Sequence, residues 1–282
     1  MNNSVIKFTA ICAAVMISAS TFAAGINIKG NGNIITRTQP IAAYDGIRAS
    51  RAVHVIVEDR TDGDAIIKAD DNVIQYVVVK NDNGTLRVGF DDRVNGVSNI
   101  NVEVRIPHCK RLRSLDASSA AKIEVKPTIK GDELQVDASS AANVNFTKAD
   151  VKRCEIEAGS AATVTGAVKA DECEVDTSSA SKVELAMLAV TCTVETSSAS
   201  RATLSGEAGA VSLDASSAAK IDAEDLNAVR ASAEASSGAS ISVNSSDKLD
   251  ARASSGGSIR YKGNAELTAA SKSSSGGSIR KL

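Results

Sequence analysis

One short phrase recurs nine times between Leu115 and the end of the chain, and it constrains the fold more than any other feature. Each copy reads apolar, charged, small, Ser-Ser, small, small, polar, Ile or Val, and successive copies are 21, 20, 19, 19, 19, 20, 18 and 20 residues apart. A fixed period near twenty residues is typical of units that bury their apolar faces only by stacking on neighbours. The sequence therefore predicts a repeat architecture. The first residue of each central pair is Ser118, Ser139, Gly159, Ser178, Ser197, Ser216, Ser236, Ser254 and Ser274.

The apolar residues around each serine pair alternate with polar ones, as at Ile123 and Val125 or at Val183 and Leu185. A period of two indicates strands rather than helices. Each repeat therefore offers two short strands hinged at the serines, where a tight corner is expected. Parallel stacking and the dominance of right-handed crossings then predict an all-β fold, a single-stranded right-handed parallel β-helix with about 20 residues per rung. A second, more variable corner is expected at Lys130-Gly131-Asp132, Thr165-Gly166, Ser205-Gly206 and Lys262-Gly263.

Composition agrees with a narrow core. Hydrophobic residues make up 43% of the 282 residues, but only 2% are aromatic and Trp is absent. Aromatic rings bury a large area each and usually anchor compact enzymes of this length. A solenoid needs only small side chains between its walls, and apolar residues kept in register argue against a disordered low-complexity tract.

The first 23 residues are predicted to be a secretory signal peptide. Lys7 precedes an apolar stretch from Phe8 to about Ser18, and Thr21 and Ala23 suit cleavage after Ala23. The stretch is shorter than the roughly 20 residues that span a bilayer, and Cys12 lacks the small-residue context of a lipidation cysteine. We expect an exported protein in the periplasm, at the cell surface or outside the cell, with no membrane insertion after cleavage.

Net charge gives no reason to expect nucleic acid or an anionic membrane as a partner. Without Lys7 the chain has 31 basic and 34 acidic residues, a net charge of −3. The last rungs are basic at Arg252, Arg260, Lys272, Arg280 and Lys281. Charge there opposes edge-to-edge pairing, and the alternative is a basic docking end for an acidic polymer.

Residues 24–110 are expected to form less regular rungs that cap the solenoid, in one domain with the regular repeats of residues 111–282. The turn dipeptides Asp62-Gly63 and Asn83-Gly84 divide this stretch. Its candidate strands are Val53 to Glu58, Ala65 to Ala69, Val73 to Lys80, Thr85 to Phe90 and Ile100 to Ile106.

Seven acidic residues occupy equivalent repeat positions, so stacking predicts a column of carboxylates about 4.8 Å apart. One reading is a ladder that binds Ca²⁺ or a cationic surface. The favoured reading is a solvated face that Lys122, Lys182, Arg201 and Lys220 neutralise from across the corner. The acidic positions are Asp116, Asp137, Glu157, Asp176, Glu195, Asp214 and Glu234.

Cys154, Cys173 and Cys192 are 19 residues apart and are predicted to share one inward column. Neighbouring rungs bring their Cα atoms within disulfide range, and an exported protein meets oxidant. Because Leu134, Val211 and Leu249 are their equivalents elsewhere, small buried hydrophobes are the favoured role over a cross-rung disulfide.

No catalytic, cofactor-binding or metal-binding residue is predicted. His54 and His108, the only histidines, have no partner at zinc spacing. Gly30-Asn31-Gly32 has no following helix and is interpreted as a turn rather than a phosphate-binding loop. Rungs of 18 to 21 residues leave no long loops for acids and bases, and most repeat serines have no histidine base in reach.

Several segments, taken together and in order, resemble the head GIN domain family of bacterial proteins described as auto-transporter adhesins. The resemblance implies a single-stranded right-handed β-helix on an exported protein, although no segment here resembles an auto-transporter barrel. The matching segments are Gly25-Ile26-Asn27, residues 30–33, residues 44–47, residues 69–72, residues 84–88 and residues 102–107, followed by the Ser-Ser repeats.

These observations predict an exported, non-catalytic β-helical protein that acts as an adhesin or binds another surface. Its expected partner is a glycan, a matrix component or another component of the cell envelope. The alternatives are a structural periplasmic or envelope protein, then a polysaccharide-acting enzyme, then an ice-binding solenoid. The mixed Lys, Glu and Asn faces disfavour ice binding.

Overall fold

The computed structural model describes residues 25–268 and 271–282. The expected signal peptide, residues 1–23, lies outside the described residues. The chain forms a β-solenoid of about 8 turns with about 20 residues per rung, as the repeat predicted. The strands, β1 to β24 in chain order, are Ile26–Lys29, Ile34–Gln39, Gly46–Ala49, His54–Glu58, Ala65–Asp70, Val77–Asp82, Thr85–Phe90, Val94–Ser98, Val102–Pro107, Ser114–Ala117, Lys122–Val125, Ile129–Lys130, Glu133–Ala138, Asn143–Asp150, Arg153–Ala158, Thr163–Thr177, Lys182–Thr196, Arg201–Ala215, Lys220–Ala235, Ser240–Ala253, Ser258–Lys262, Glu266–Leu267, Lys272–Ser273 and Ser278–Lys281.

Successive rungs pair as parallel strands in the register that the repeat predicted. Leu115 lies opposite Val136, and Val136 opposite Ile156, and all three are fully buried. The core is a set of such inward columns of Ala, Val, Ile and Leu. Its large ring at Phe146 is accommodated by Gly166 on the next rung, where a Cβ would lie 2.3 Å from the ring.

The serine corners are tight turns with two consecutive residues of positive φ. At the first copy, φ is 52° at Ser119 and 60° at Ala120, and the Ala121 N–H donates to the Ser118 carbonyl at 3.1 Å. This is the geometry of a type I′ turn. The Ala120 N–H donates instead to the Ser140 carbonyl of the next rung at 2.9 Å. Each corner is therefore closed by one bond within the rung and tied to its neighbour by another.

The short strands expected in each rung are found as far as Ala158 and again after Ala253, in β21 to β24. From Thr163 onwards one strand of 14 to 16 residues runs from each serine corner to the next, through β16 to β20. The variable corner bends within one continuous strand, although the pairing register shifts there between β18 and β19 and between β19 and β20. Its glycines do not occupy one equivalent position on successive rungs, because Gly166 lies opposite Leu185 whereas Gly206 lies opposite Met187.

The N-terminal rungs are stacked in an order that differs from their order in the sequence. Strands β3 and β4 pair on one side with β10 and β11 and on the other with β7 and β9. The rung of residues 46–58 therefore lies between two rungs that follow it in the chain. Strand β5 runs antiparallel to β2 and β9.

Two local features of this region bear on the predicted strands. The expected strand from Val73 to Lys80 begins only at Val77, because Ile74–Tyr76 forms a 3-10 turn. Asn83 and Gly84 have φ of 51° and 92° and join β6 to β7 as a two-residue hairpin, as the dipeptide predicted.

Candidate interaction surfaces

Eleven charged residues stack directly over one another on one outer wall of the solenoid. We call this set the charge column. Two arginines begin it, seven carboxylates follow, and an arginine and a lysine end it. The sequence predicted the column of carboxylates, and the strand pairing shows that four cations lie in the same column. In order along the wall, the charge column is Arg87, Arg48, Asp116, Asp137, Glu157, Asp176, Glu195, Asp214, Glu234, Arg252 and Lys272.

The carboxylates at the two ends of the acidic stretch are neutralised within the column. Arg48 Nε lies 2.6 Å from Asp116 Oδ2, and Arg252 forms an ion pair with Glu234. Within the described residues, the carboxylates between them form no ion pair with Lys or Arg. We call these five the acidic stretch: Asp137, Glu157, Asp176, Glu195 and Asp214.

The interpretation that lysines across the corner neutralise this column is wrong. Lys182 Nζ lies 2.5 Å from Glu184, and Lys220 Nζ lies 3.0 Å from Asp222, on the same strand in each case. Lys122 likewise lies 3.7 Å from Glu124. Residues two apart on a strand point to the same face, so each lysine meets its own neighbour before it reaches around the corner. The acidic stretch is left with its own charge.

The pKa values of two carboxylates in the acidic stretch are raised. Burial, followed by the charges of Glu157 and Asp116, raises the pKa of Asp137 to about 6. Burial and the charge of Glu234 also raise the pKa of Asp214. Like charges directly opposite each other on neighbouring strands repel, and this repulsion adds to the larger effect of burial in raising both pKa values.

A depression lies beside the acidic stretch where Gly159 replaces the serine of the other corners. It has a volume of about 330 Å³ and is lined by Asp137, Glu157 and Asp176 and by Ser139 and Ser178 of the flanking corners. A Cβ at Gly159 would lie 3.5 Å from Ser178 Oγ, an ordinary contact. The absence of a side chain at Gly159 therefore creates the depression, although the backbone there could also accommodate a side chain. In the part of the chain that the structure describes, no group of three or more His, Cys, Asp or Glu residues is arranged to hold a metal ion.

The predicted column of cysteines is confirmed. Cys154, Cys173 and Cys192 lie opposite one another on successive rungs and are at most 2% exposed. All three are free thiols, as is the half-buried Cys109. A hydrogen bond with Cys173 and burial raise the pKa of the Cys192 thiol, so this thiol is neutral at physiological pH.

The two histidines lie apart at the N-terminal end. His54 Nε2 lies 3.5 Å from Glu124, and burial lowers the pKa of His54. His108 lines a separate cavity of about 470 Å³ with Tyr44 and Cys109. The Tyr44 hydroxyl donates to the Pro107 carbonyl within this region, so it is held in a structural contact.

The N-terminal segments that carried the family resemblance contact one another. The buried Asp70 accepts from the Gly32 N–H at 2.6 Å and from the Asn101 N–H at 2.7 Å. Asp71 accepts from Asn31 at 2.6 Å and from Asn33 at 3.0 Å. The Gly30-Asn31-Gly32 turn is thus held by two carboxylates.

Sequence comparison identifies the family. Residues 43–166 and 154–265 match the family described as "Putative auto-transporter adhesin, head GIN domain". The chain belongs to this family. No curated protein matches it. The resemblance that the sequence suggested is therefore confirmed from residue 43 to residue 265, which leaves the segments at residues 25–27 and 30–33 outside the match.

Solved structures share the fold of this head GIN domain protein. A putative adhesin from Parabacteroides merdae is 21% identical, with a TM-score of 0.70 over 91% of this chain and 99% of that one. A putative adhesin from Parabacteroides distasonis is 18% identical, with a TM-score of 0.70 over 91% and 100%. A protein from the same species named a putative lipid binding protein is 23% identical, with a TM-score of 0.67 over 91% and 100%.

In this head GIN domain protein the N-terminal segments that resemble the family stabilise the fold through contacts with one another. Asp70 and the glycine turn bind each other, and Asp45 lies 3.0 Å from Arg113 while its N–H donates to the Gly84 carbonyl at 2.8 Å. The described residues contain no helix long and apolar enough to cross a membrane.

Proposed function

We propose that this protein is exported and binds another surface through a wall of the solenoid, without catalysis. The observation that carries the proposal is the acidic stretch, which is ordered, continuous and left without cations by the fold. The family's description as an adhesin supports the same reading. A glycan, a matrix component or another envelope component is the proposed partner.

The build of the rungs supports a binding role rather than a catalytic one. Strands of 14 to 16 residues fill the rungs from Thr163 to Ala253, so these rungs have no long loops. General acid–base catalysis needs groups held around a reacting centre. The repeated corner serines lie on an exposed edge, and both histidines lie in the N-terminal rungs.

Accessibility on intact cells tests the proposal. A membrane-impermeant lysine reagent is applied to intact and to lysed cells, and labelling at exposed Lys126, Lys148 and Lys152 is measured by mass spectrometry. Equal labelling in both samples is the expected result, since an adhesive surface must face outwards. A periplasmic protein serves as the control for cell integrity. Labelling only after lysis contradicts adhesion and favours the alternative, a structural periplasmic or envelope protein.

A further inference from the structure

The last rungs carry a concentration of cations of opposite sign to the acidic stretch. Residues 258–282 contain five cations, Arg260, Lys262, Lys272, Arg280 and Lys281, and one acidic residue, Glu266, which gives a net charge of +4. The whole chain has a net charge of −2. The charges of this molecule are therefore segregated along its axis.

The cations stack in register in two columns, one on each side of the serine corner. Arg260 lies directly opposite Arg280, and Lys272 lies directly opposite Arg252. Neighbouring strands are about 4.8 Å apart, and like charges at this spacing destabilise the pair. Arg260 donates to Ser242 Oγ at 3.3 Å. Within the described residues, Arg260, Arg280 and Lys272 form no ion pair, and we call these three the basic end.

The chain itself shows what neutralises such a stack. Arg48 binds Asp116 and Arg252 binds Glu234, in each case from the adjacent rung of the same column. A guanidinium one rung away therefore reaches a carboxylate of the charge column. Guanidinium and carboxylate groups also match each other in shape and form strong charge-assisted hydrogen bonds.

The basic end and the acidic stretch have the same repeat, since both follow the spacing of the rungs. Two copies lying side by side with their axes aligned can place Arg260 and Arg280 of one copy against successive carboxylates of the other. An acidic polymer has anionic groups too, but their spacing is set by its own chemistry. The carboxylates that match this spacing rung for rung belong to the chain.

We propose that the basic end of one copy docks on the acidic stretch of a second copy. This goes beyond the proposed function, in which the same acidic stretch binds a different partner, so the two contacts compete for one surface. The two surfaces are different, so the contact is heterologous, and repeated contacts extend the assembly unless it closes into a ring. The contact depends on exposed charges, so salt screens it.

Light scattering coupled to size-exclusion chromatography tests this association on the protein without its signal peptide. At about 10 mM salt, where charges act over about 30 Å, we expect a mass at least twice that of the monomer, and at about 1 M salt a monomer. R260E/R280E and E157K/D176K are each expected to be monomeric at low salt. K126E/K148E is the matched control, since it makes the same charge change as R260E/R280E on exposed lysines elsewhere, and it is expected to associate like the wild type.

Mixing the two reversed variants gives the sharpest result. R260E/R280E keeps the acidic stretch and E157K/D176K keeps the basic end, and the two reversed surfaces are also opposite in charge. The mixture is therefore expected to associate although neither variant does alone. Circular dichroism identifies any variant that fails to fold. A wild type that is monomeric at low salt overturns the proposal, as does a mixture that stays monomeric. Binding of polygalacturonate to a monomeric wild type, lost in R260E/R280E, would assign the basic end to an acidic polymer and overturn it too.

Discussion

Two aspartates show how the same residue type is used in opposite ways in this molecule. Asp70 is fully buried and accepts two backbone N–H groups, and the bond from Asn101 is the main cause that lowers its pKa. Asp137 is half-buried among other carboxylates, and burial, followed by their charge, raises its pKa to about 6. The carboxylate of Asp70 stabilises the fold, and the carboxylate of Asp137 opposes it.

Replacing Asp70 with Asn is expected to destabilise the protein by about 2 to 3 kcal/mol at pH 7, because charged hydrogen bonds are lost in a buried site. The folded pKa lies below the unfolded one, so this stability is present above the unfolded pKa of about 3.9 and is lost as the pH falls through the folded pKa. Urea unfolding at pH 7 measures the loss. Asp71→Asn is the control, since its carboxylate is more exposed, and an equal effect of both substitutions would contradict this account.

Replacing Asp137 with Asn is expected to have the opposite sign. The folded pKa lies above the unfolded one, so the native state binds the proton more tightly and the repulsion is relieved as the pH falls from about 7 to about 4. Asp137→Asn should therefore stabilise the protein at pH 7 by about 1 kcal/mol or less, and the gain should vanish near pH 4. Melting temperatures at both pH values measure it, and a gain that does not depend on pH would show that charge is not the cause.

The element that defines the solenoid is the serine corner. Its backbone conformation bears on a change from Ala to Gly at one position of the corner along the chain. The second residue of positive φ is Ala in the corners from Ala120 to Ala218, but Gly in the last three, at Gly238, Gly256 and Gly276. A side chain is strained in this conformation, and Gly is not. The earlier corners carry this strain, although the same hydrogen bonds tie the corners at Gly238 and Gly256 to their neighbours.

Exchange at this position tests the strain. Gly238→Ala is expected to destabilise the protein by about 1 kcal/mol, and Ala180→Gly to stabilise it by about 0.5 to 1 kcal/mol. Ala170→Gly is the control, because Ala170 is buried in extended strand β16, where Gly lowers stability. Chemical denaturation measures all three, and destabilisation by Ala180→Gly would contradict the corner geometry.

The column of cysteines gives a second prediction for the elements. Because Cys154, Cys173 and Cys192 are buried free thiols on successive rungs, we expect four reactive thiols in denaturant for the protein without its signal peptide, which contains Cys12. In the folded protein we expect only Cys109 to react. A thiol reagent with an absorbance readout measures both. Two thiols in denaturant would instead show a cross-rung disulfide.

Across the whole molecule, the repeat period predicted the strand register of the regular rungs. It did not predict the order in which the first rungs stack. The register of Leu115, Val136 and Ile156 followed from the repeat. The corner at Ser50-Arg51-Ala52-Val53 was missed, although Arg51 and Ala52 have φ of 59° and 57°, because Arg51 replaces the second serine. The order of the first rungs could not be predicted, because nothing local records that residues 46–58 lie between two later rungs.

The electrostatic interpretation failed for a related reason. Lys182 and Lys220 were assigned to the acidic column because they lie just beyond the corner. A strand places residues two apart on one face, so Glu184 and Asp222 were the nearer partners. The cations of the charge column came from Arg48 and Arg252, whose positions depend on how the first and last rungs stack.

The central claim is that, in the regular repeats, each rung lies directly over the one before, and distances between spin labels at the serine corners test it most directly. Cys109 is replaced by Ser, and the labels are attached to introduced cysteines. One variant carries S140C and S217C, four rungs apart, and the other carries S140C and S275C, seven rungs apart. Pulsed electron paramagnetic resonance should give separations of about 19 and 34 Å, one rung spacing of about 4.8 Å for each step. Separations that do not increase in proportion to the number of rungs would contradict the stacked solenoid and every column derived from it.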